Sequence, residues 1–253
     1  MPEPPADLRL FAVHGLPEIE PGADLAGLIL AATVDNPIQD GDLVVVAQKA
    51  VSKAEGRLLD LRTVEPSPFA RTIADAHERD PRHIEAILRE TRRIVRMDRG
   101  VLICETRHGF VCANAGLDLS NVRGDLVASL LPLDPDASAA SLRQALLERA
   151  GLSRLAVIIS DTFGRPWREG IVNVAIGVAG MEPLDTYIGK TDPYGYELHS
   201  TVLAPADELA SAAELVMGKL RQVPVVLIRG YAFESAAGSA RALVRAQAMD
   251  LFR

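Results

Sequence analysis

Cysteine is scarce in this sequence, and its arrangement argues against two classes of protein. Among 253 residues there are two cysteines, Cys104 and Cys112, with no CxxC spacing and no neighbouring pair of histidines. Two thiols do not make a disulfide framework, and a structural zinc site needs closely spaced Cys or His ligands. The sequence therefore predicts free thiols and argues against both a disulfide-rich scaffold and a zinc protein.

Aromatic residues and long hydrophobic runs are also lacking. Aromatics supply 4% of the chain, although hydrophobic residues in all make up 48%. The core must consequently be built from Ala, Val, Leu and Ile, which supply enough apolar surface to offset the entropy of folding. No window approaches the length of a membrane span, and residues 1–5 lack the basic and apolar regions of a signal peptide. We expect a cytoplasmic protein with no membrane partner.

Basic residues are fewer than acidic ones. The chain has 27 Lys and Arg against 34 Asp and Glu, which gives a net charge of −7. A net negative chain has no overall field that attracts nucleic acid, so we expect no nucleic-acid partner. If the protein handles a small anion, it must do so at a local site that contains metal ions or backbone N–H groups.

The hydrophobic pattern predicts a mixed fold of the α/β or α+β class, because a hairpin around residues 107–109 argues against a purely parallel sheet. Asp24 and Ser138 are the predicted N-caps of two helices. The expected strands are 8–13, 42–47, 102–104, 111–113, 155–160 and 223–228, and the expected helices are 24–34, 67–97 with a break at Pro81, 138–150, 206–220 and 236–252. Residues 1–253 are interpreted as one unit, in which the Pro- and Asp-rich segment 131–137 is the best junction between two closely packed subdomains.

The first candidate site is the segment 48–57, which follows a predicted buried strand. Loops at the carboxyl ends of strands often bind ligands in α/β proteins. Lys53 would offer a positive charge to a phosphate, and Gly56 would permit close approach of the backbone. The alternative is a solvated helix start with a Glu55–Arg57 pair, and the local pattern alone favours that alternative.

The second candidate site is the segment 114–121, where Asp118, Ser120 and Asn121 follow a glycine. Their oxygen atoms are hard ligands of the kind that Mg²⁺ and Mn²⁺ prefer. The alternative is an Asx-type turn, in which the same side chains bind their own backbone. The two interpretations are evenly balanced.

The third candidate site, residues 160–170, is the most informative. The apolar run 155–159 and Ser160 are expected to bring Asp161 to a strand end, where an acidic side chain is well placed to bind a metal ion. Arg165 and Arg168 could bind a phosphate or a carboxylate. The alternative is an N-capped turn whose arginines pair with surface acids, and the grouping of residue types favours the functional interpretation.

Two common nucleotide motifs are missing from the sequence. Gly189-Lys190-Thr191 resembles the end of a P-loop, but the first glycine of that motif would fall on Leu184, and no G-x-G-x-x-G segment follows a strand. We therefore expect neither a P-loop nor a Rossmann site. Together the candidate sites indicate phosphoryl transfer or nucleotide-driven ligation, with acidic metal ligands beside basic phosphate contacts.

The motifs and their order also resemble those of a known family. The matching segments are GLPEI at 15–19, DGD at 40–42 continuing to VSKAEGR at 51–57, AGLDLSN at 115–121, SDTFGRPWR at 160–168, DPYGYEL at 192–198 and DLF at 250–252. In this set and order the sequence resembles the coenzyme F-420-0:γ-glutamyl ligase family. Agreement of six motifs in one order by chance is implausible.

The resemblance implies an acid–amino-acid ligase that uses GTP to join L-glutamate to the carboxylate of the phospholactyl-deazaflavin F-420-0. The carboxylate would become an acyl phosphate, and further glutamates would be added through γ-linkages. It also implies an unusual mixed-sheet fold in an intertwined homodimer, two ions of Mg²⁺ or Mn²⁺, and K⁺ as a further cofactor. No C-terminal nitroreductase-like domain is expected, because the sequence stops at Arg253, after the ligase portion.

The resemblance also implies the site residues, motif by motif. Asp118 and Asp161 are expected to bind one divalent ion, and Thr162 a second. The expected GTP contacts are Leu16, Pro17, Glu18, Ile19, Gln48, Lys53 and Asn121, together with Leu215, Val216, Met217, Gly218, Lys219, Leu220, Arg221 and Gln222. Lys219 is assigned no metal, because some relatives have a polar or acidic residue at its position.

Arg165 and Arg168 join Asp118 and Asp161 as expected catalytic residues, although the role of the arginines is inferred from their chemistry alone. Two other functions remain open. One is a metal-dependent phosphohydrolase that uses the same carboxylates with water as the attacking group. The other is a non-catalytic module that binds a deazaflavin or a nucleotide.

Overall fold

The computed structural model describes residues 7–120, 124 and 126–250 of the chain. In chain order its elements are β1 (Arg9–Ala12), α1 (Leu25–Ala32), β2 (Leu43–Ala47), α2 (Gln48–Ala54), β3 (Leu58–Asp60), α3 (Pro68–His77), α4 (Pro81–Glu90), β4 (Thr91–Asp98), β5 (Val101–Thr106), β6 (Val111–Ala113), β7 (Val127–Ser129), α5 (Pro135–Ala150), β8 (Ala156–Arg165), β9 (Arg168–Ala179), β10 (Asp185–Thr186), β11 (Val202–Leu203), α6 (Pro205–Met217) and β12 (Val225–Arg229). Short 3₁₀ turns occupy Leu61–Thr63, Asn114–Gly116, Ala240–Leu243 and Gln247–Met249. The predicted mixture of helices and strands is confirmed.

A mixed sheet of five strands lies at the centre, in the order β1-β12-β2-β8-β9. β2 and β8 run parallel, whereas the other neighbouring pairs are antiparallel. Both faces of the sheet are covered, which explains why the inner strands are continuous runs of Val, Ile and Leu. The expectation of a sheet that is not purely parallel is confirmed.

Successive side chains of β8 point to opposite faces of this sheet. Val157 and Ile159 pack in the buried cluster that contains α1, α2 and α5, whereas Ala156 and Ile158 pack in the cluster that contains α6. We call these the α2 face and the α6 face. Their alternation decides which way each polar side chain further along β8 points.

A third buried cluster is formed by residues that lie between positions 61 and 130 of the chain. It contains Leu61 and Ile84, and is enclosed by α3, α4, the three-stranded sheet β4-β5-β6 and the pair β3-β7. We call this part, residues 57–131, the small lobe. It carries Asp118, whereas Asp161 belongs to the central sheet, so the two expected metal ligands come from different parts of the fold.

Helix starts follow the sequence signals, with one correction. Asp24 caps α1 as predicted, because its carboxylate accepts a hydrogen bond from the Gly27 amide. The prediction of Ser138 as a cap is wrong: α5 begins earlier, at Pro135, and Asp134 caps it. Proline suits the first position of a helix, where its missing N–H is not needed. The segment 131–137 therefore contains a helix start, and its role as a junction stays a prediction.

Three predicted helices are wrong in part. Residues 91–97 belong to β4, because pairing with β5 overrides their charged, helix-like composition. The helix expected at 206–220 ends at Met217, where Gly218 has a φ of +58°. The described part of the tail contains two 3₁₀ turns instead of an α-helix. In the described residues no helix is both long enough and apolar enough to cross a membrane.

Candidate active site

Asp161 lies inside strand β8, so the prediction that it stands at a strand end is wrong. β8 continues to Arg165 and pairs with β9 as far as Arg168, which confines the expected turn to residues 166–167. The long partner strand extends β8 through residues that would otherwise form a loop. The buried part of β8 nevertheless ends where the sequence predicts, because residues 156–160 are buried and Asp161 is partly exposed. By alternation from Ile159, its carboxylate points to the α2 face.

Asp118 is held at the edge of the small lobe by its own backbone and by Ser120. Its N–H and C=O pair with Ser129 at 3.1 and 2.8 Å. Its Oδ1 accepts a hydrogen bond from the Ser120 amide at 2.7 Å, and its Oδ2 accepts one from the Ser120 hydroxyl at 3.0 Å. The Asx turn that the sequence left open is therefore formed. It orients the carboxylate rather than excluding a functional role.

Lys49 is the residue at this site that sequence reasoning missed. Its ammonium group donates to Oδ2 of Asp118 at 2.6 Å and to Oγ of Ser120 at 2.7 Å. The missed signal is spacing: Lys49 and Lys53 are four residues apart on α2, so they share a helix face. The prediction of a binding segment at 48–57 considered Lys53 alone.

The two carboxyl groups differ in their electrostatic surroundings. Burial raises the pKa of Asp161 to about 6; the Thr162 amide, Lys49 and Lys219 oppose this increase, whereas the neighbouring charge of Asp118 adds to it. Burial also acts to raise the pKa of Asp118, but hydrogen bonds from Lys49 and Ser120 bring that pKa below its usual value. The mutual influence of Asp161, Asp118 and Lys49 shows that these residues from β8, the small lobe and α2 converge.

On the α6 face, Thr162 and three other polar side chains form a second cluster. The Thr162 hydroxyl donates to Oδ1 of Asn173 at 2.9 Å and accepts a hydrogen bond from Lys219. The amide nitrogen of Asn173 in turn donates to Oε2 of Glu214 at 3.2 Å. Asn173 is buried. Sequence reasoning missed Asn173 and Glu214, because neither lies in a recognisable motif.

The donor set on the α2 face fits a divalent cation. Asp118 and Asp161 supply carboxylate oxygens and Ser120 a hydroxyl, which are the hard ligands that Mg²⁺ and Mn²⁺ prefer. Within the described residues no group of three or more His, Cys, Asp or Glu side chains could hold a metal ion. Two carboxylates are enough for a cation of this type, because Mg²⁺ usually keeps water or substrate phosphates as its other ligands.

The other expected site residues have varied positions. Lys53 forms an ion pair with Glu18 at 2.5 Å, which joins two of the expected GTP segments. Gln48 is buried, and its amide donates to the Leu130 carbonyl at 3.0 Å, so its GTP contact stays a prediction. The guanidinium of Arg165 donates to the Glu169 carbonyl at the hairpin tip, about 13 Å along the strand from Asp161. Asn121 lies outside the described residues.

The segment expected to bind GTP after α6 is divided between core and surface. Met217 is buried in the cluster on the α6 face, whereas Leu215 and Leu220 are 79% and 91% exposed. The backbone reverses at Gly218, and Gln222 also has a positive φ. Lys219 therefore leaves the end of α6 and returns to Thr162 on β8.

Comparison with known proteins shows the family of the chain. The family described as F420-0:Gamma-glutamyl ligase matches residues 15–230, a range that contains Asp118, Asp161 and Lys49. The chain belongs to this family. The resemblance indicated by the six motifs is thus confirmed.

Several relatives match almost end to end. The coenzyme F420:L-glutamate ligase of Methanothermobacter thermautotrophicus is 47% identical over 251 residues, which cover 97% of this chain and 99% of that protein. The protein of the same name from Methanopyrus kandleri is 46% identical, covering 97% and 98%. The one from Archaeoglobus fulgidus is 40% identical over 248 residues, covering 97% and 96%.

Proposed function

We propose that this chain is a GTP-dependent ligase that joins L-glutamate to the phospholactyl carboxylate of coenzyme F-420-0 and then adds further glutamates through γ-linkages. The observation that carries the proposal is the convergence of Asp118, Asp161 and Lys49 between the central sheet and the small lobe. Support also comes from membership of the family and from relatives named coenzyme F420:L-glutamate ligase.

The proposed reaction has two steps. A carboxylate oxygen of F-420-0 attacks the γ-phosphorus of GTP, the bond to the bridging oxygen breaks, and GDP leaves with that electron pair. The amine of glutamate then attacks the carbonyl carbon of the acyl phosphate, and phosphate leaves as the amide bond forms and the nitrogen loses a proton. Such transfers depend mainly on positioning and on stabilisation of negative charge.

The residues divide these tasks. Lys49 and Lys53 present positive charge from one face of α2 to the phosphates, and Glu18 holds Lys53 in place. A divalent ion held by Asp118 and Asp161 would supply further neutralisation of the triphosphate when bound. Arg165 and Arg168, at the hairpin tip, hold a carboxylate or phosphate of the substrates. K⁺ is expected as an additional requirement.

We further propose that the chain acts as an intertwined homodimer and binds GTP without a P-loop or Rossmann motif. Both points rest on the resemblance to the family. Exposed apolar side chains such as Ile188, at 55%, and Tyr194, at 96%, are consistent with a surface that another chain covers. Sedimentation of the purified protein tests the oligomeric state, since a monomer at all concentrations would contradict it.

The function is tested by mass spectrometry of F-420-0 after incubation with the protein, GTP, Mg²⁺ and L-glutamate. We expect a series of products that differ by one glutamate residue each, with GDP and phosphate released. GDP formation without added glutamate would indicate a phosphohydrolase, and binding without turnover would indicate a non-catalytic module.

Asp161→Asn gives a matched test of the carboxylate, because it removes the charge and keeps the shape. We expect loss of glutamate addition with the fold retained. Asp75→Asn is the control, since Asp75 is exposed on α3 and should leave turnover unchanged. Turnover by Asp161→Asn at the unmodified rate would show that the proposed metal ligand is misassigned.

A further inference from the structure

The family resemblance calls for two divalent ions, but only one of the two expected positions fits. Asp161 and Thr162 are consecutive residues of β8, so their side chains point to opposite faces of the sheet. Asp161 interacts with Lys49 and Asp118 on the α2 face, whereas Thr162 bonds Asn173 on the α6 face. The hydroxyl of Thr162 therefore does not join the donor set of Asp118 and Asp161. The charge of Lys219, which binds Thr162, nevertheless reaches Asp161.

The cation that the structure places at Thr162 is an ammonium group of the chain itself. Nζ of Lys219 donates to Oγ1 of Thr162 and lies 3.8 Å from a carboxylate oxygen of Glu214. A divalent ion bound to the same hydroxyl would be in close contact with this ammonium, and like charges at such a distance repel strongly. On the α2 face two carboxylates, Asp118 and Asp161, face the single ammonium group of Lys49. On the α6 face the carboxylate of the cluster, that of Glu214, already pairs with Lys219. The donor set around Thr162 therefore does not fit a divalent ion while Lys219 is present.

The position of Lys219 is fixed from three directions. The Thr162 hydroxyl is oriented by Asn173, so that its lone pairs are directed away from the amide and towards the lysine. Asn173 also bonds Ser160 and Glu214, which connects β8 to α6. Lys219 lies just beyond the carboxyl end of α6, where the helix dipole favours a positive charge.

We propose that the ammonium group of Lys219 replaces the second divalent ion in this chain and contacts the nucleotide phosphates on the α6 side of β8. The inference rests on the proposed GTP-dependent function. The side chain of Lys219 is 52% exposed, so its remaining N–H donors can reach a bound phosphate. A lysine supplies one positive charge at a fixed point, which a phosphate oxygen can use as it would a bridging cation.

The test counts metal ions with Mn²⁺ as the probe. Free Mn²⁺ gives a sharp electron paramagnetic resonance signal that is lost on binding, so titration of the chain in the presence of β,γ-imido-GTP gives the number of ions bound per chain. We expect one bound Mn²⁺ ion in the natural chain. In Lys219→Glu, where a carboxylate joins Glu214 and Thr162, we expect two.

Lys190→Glu makes the same change of charge at a partly exposed lysine that pairs with Asp185, and it should leave the number of bound ions at one. Two ions in the natural chain, one ion in Lys219→Glu, or two ions in Lys190→Glu would each overturn the inference while leaving the proposed ligase function intact. If no Mn²⁺ binds to the natural chain in the presence of the nucleotide analogue, both the inference and the proposed metal site are wrong.

Discussion

The ammonium nitrogen of Lys49 lies 2.6 Å from Oδ2 of Asp118. This ion pair joins α2, which packs on the central sheet, to the small lobe. The side chain of Lys49 is 23% exposed and that of Asp118 is 46% exposed, so the pair is only partly screened by solvent. The position that a divalent ion would occupy beside Asp118 is thus shared with a lysine, which must change partners when an ion binds.

Replacing Lys49 with methionine should separate metal binding from catalysis. Without the ammonium group, nothing competes for Oδ2 of Asp118, and we expect Mg²⁺ to bind more tightly in the absence of nucleotide. Ligation should fall by about 10²-fold or more, because a charge that stabilises the phosphoryl group is lost. Calorimetric titration with Mg²⁺ and product analysis measure the two effects.

The control for this variant is Lys190→Met, which removes a partly exposed lysine that pairs with Asp185 instead of Asp118. It should change neither quantity. Weaker Mg²⁺ binding in Lys49→Met would show that Lys49 does not compete for Asp118. Ligation at the unmodified rate would show that Lys49 does not act on the phosphates.

Asp161→Asn should increase stability at neutral pH in the presence of a chelator. Burial raises the pKa of Asp161 from 3.8 to about 6, so the folded chain retains a proton that the unfolded chain has lost between these values. The contribution of this carboxyl group to stability is therefore present below pH 4 and is lost as the pH rises to about 6, by at most ~3 kcal/mol.

An asparagine does not titrate, so the variant and the natural chain should unfold at similar temperatures at pH 4. At pH 7 the variant should unfold several degrees higher. Scanning calorimetry at the two values measures the difference. An equal change at both pH values would mean that the carboxyl group of Asp161 is not the origin of the effect.

Much of the fold could be predicted from the sequence, because the central strands carry their own signal. β2 and the first part of β8, residues 156–159, are continuous runs of apolar residues, and burial on both faces produces that pattern. β4 could not be predicted in the same way. Its arginines and aspartate resemble a charged helix, and only its pairing with β5, which is formed by tertiary structure, makes it a strand.

The candidate site could likewise be predicted only in part. Asp118 and Asp161 lie in motifs, so they could be named before their contact was known. Lys49 lies in the segment 48–57, where only its spacing from Lys53 points to it, and Asn173 lies outside any motif. The importance of both comes from contacts with other parts of the chain, as Lys49 with Asp118. Such contacts depend on how the small lobe packs against α2, and the periodicity of one sequence does not encode that packing.

Glu90 should contribute much more to stability than Glu65, although both form ion pairs with arginine. Glu90 is 12% exposed and binds Arg57 at 3.1 Å, whereas Glu65 is 87% exposed and binds Arg71 at 2.7 Å. Glu90→Ala leaves the poorly solvated Arg57 without a counterion, which should cost about 2 kcal/mol or more. Glu65→Ala should cost less than about 0.5 kcal/mol.

Urea denaturation of the two variants measures the difference in the free energy of unfolding. The shorter distance belongs to the exposed pair, so a ranking by distance would predict the opposite order. Equal losses in the two variants would show that burial does not decide the strength of these pairs.

Two glycines of the β8–β9 hairpin should respond differently to replacement by alanine. A Cβ on Gly177 would lie 2.3 Å from the carbonyl oxygen of Pro135, whereas a Cβ on Gly164 would have no atom within 4 Å. The neighbour of Gly177, Val178, is bonded through its amide to Asp136 at 2.9 Å. The first turn of α5 is thus attached to β9 at the position where alanine would push it away.

Gly177→Ala should consequently lower the free energy of unfolding by about 1–3 kcal/mol, as is usual when a packed contact is overfilled. Gly164→Ala should be neutral or slightly stabilising, because alanine loses less backbone entropy on folding than glycine. Urea denaturation measures the free energy of unfolding of the two variants. Ligation can be measured with the same samples before urea is added. A neutral result at Gly177 would mean that α5 can move away from β9 without loss of stability. The contact between Pro135 and β9 would then not hold the helix in place.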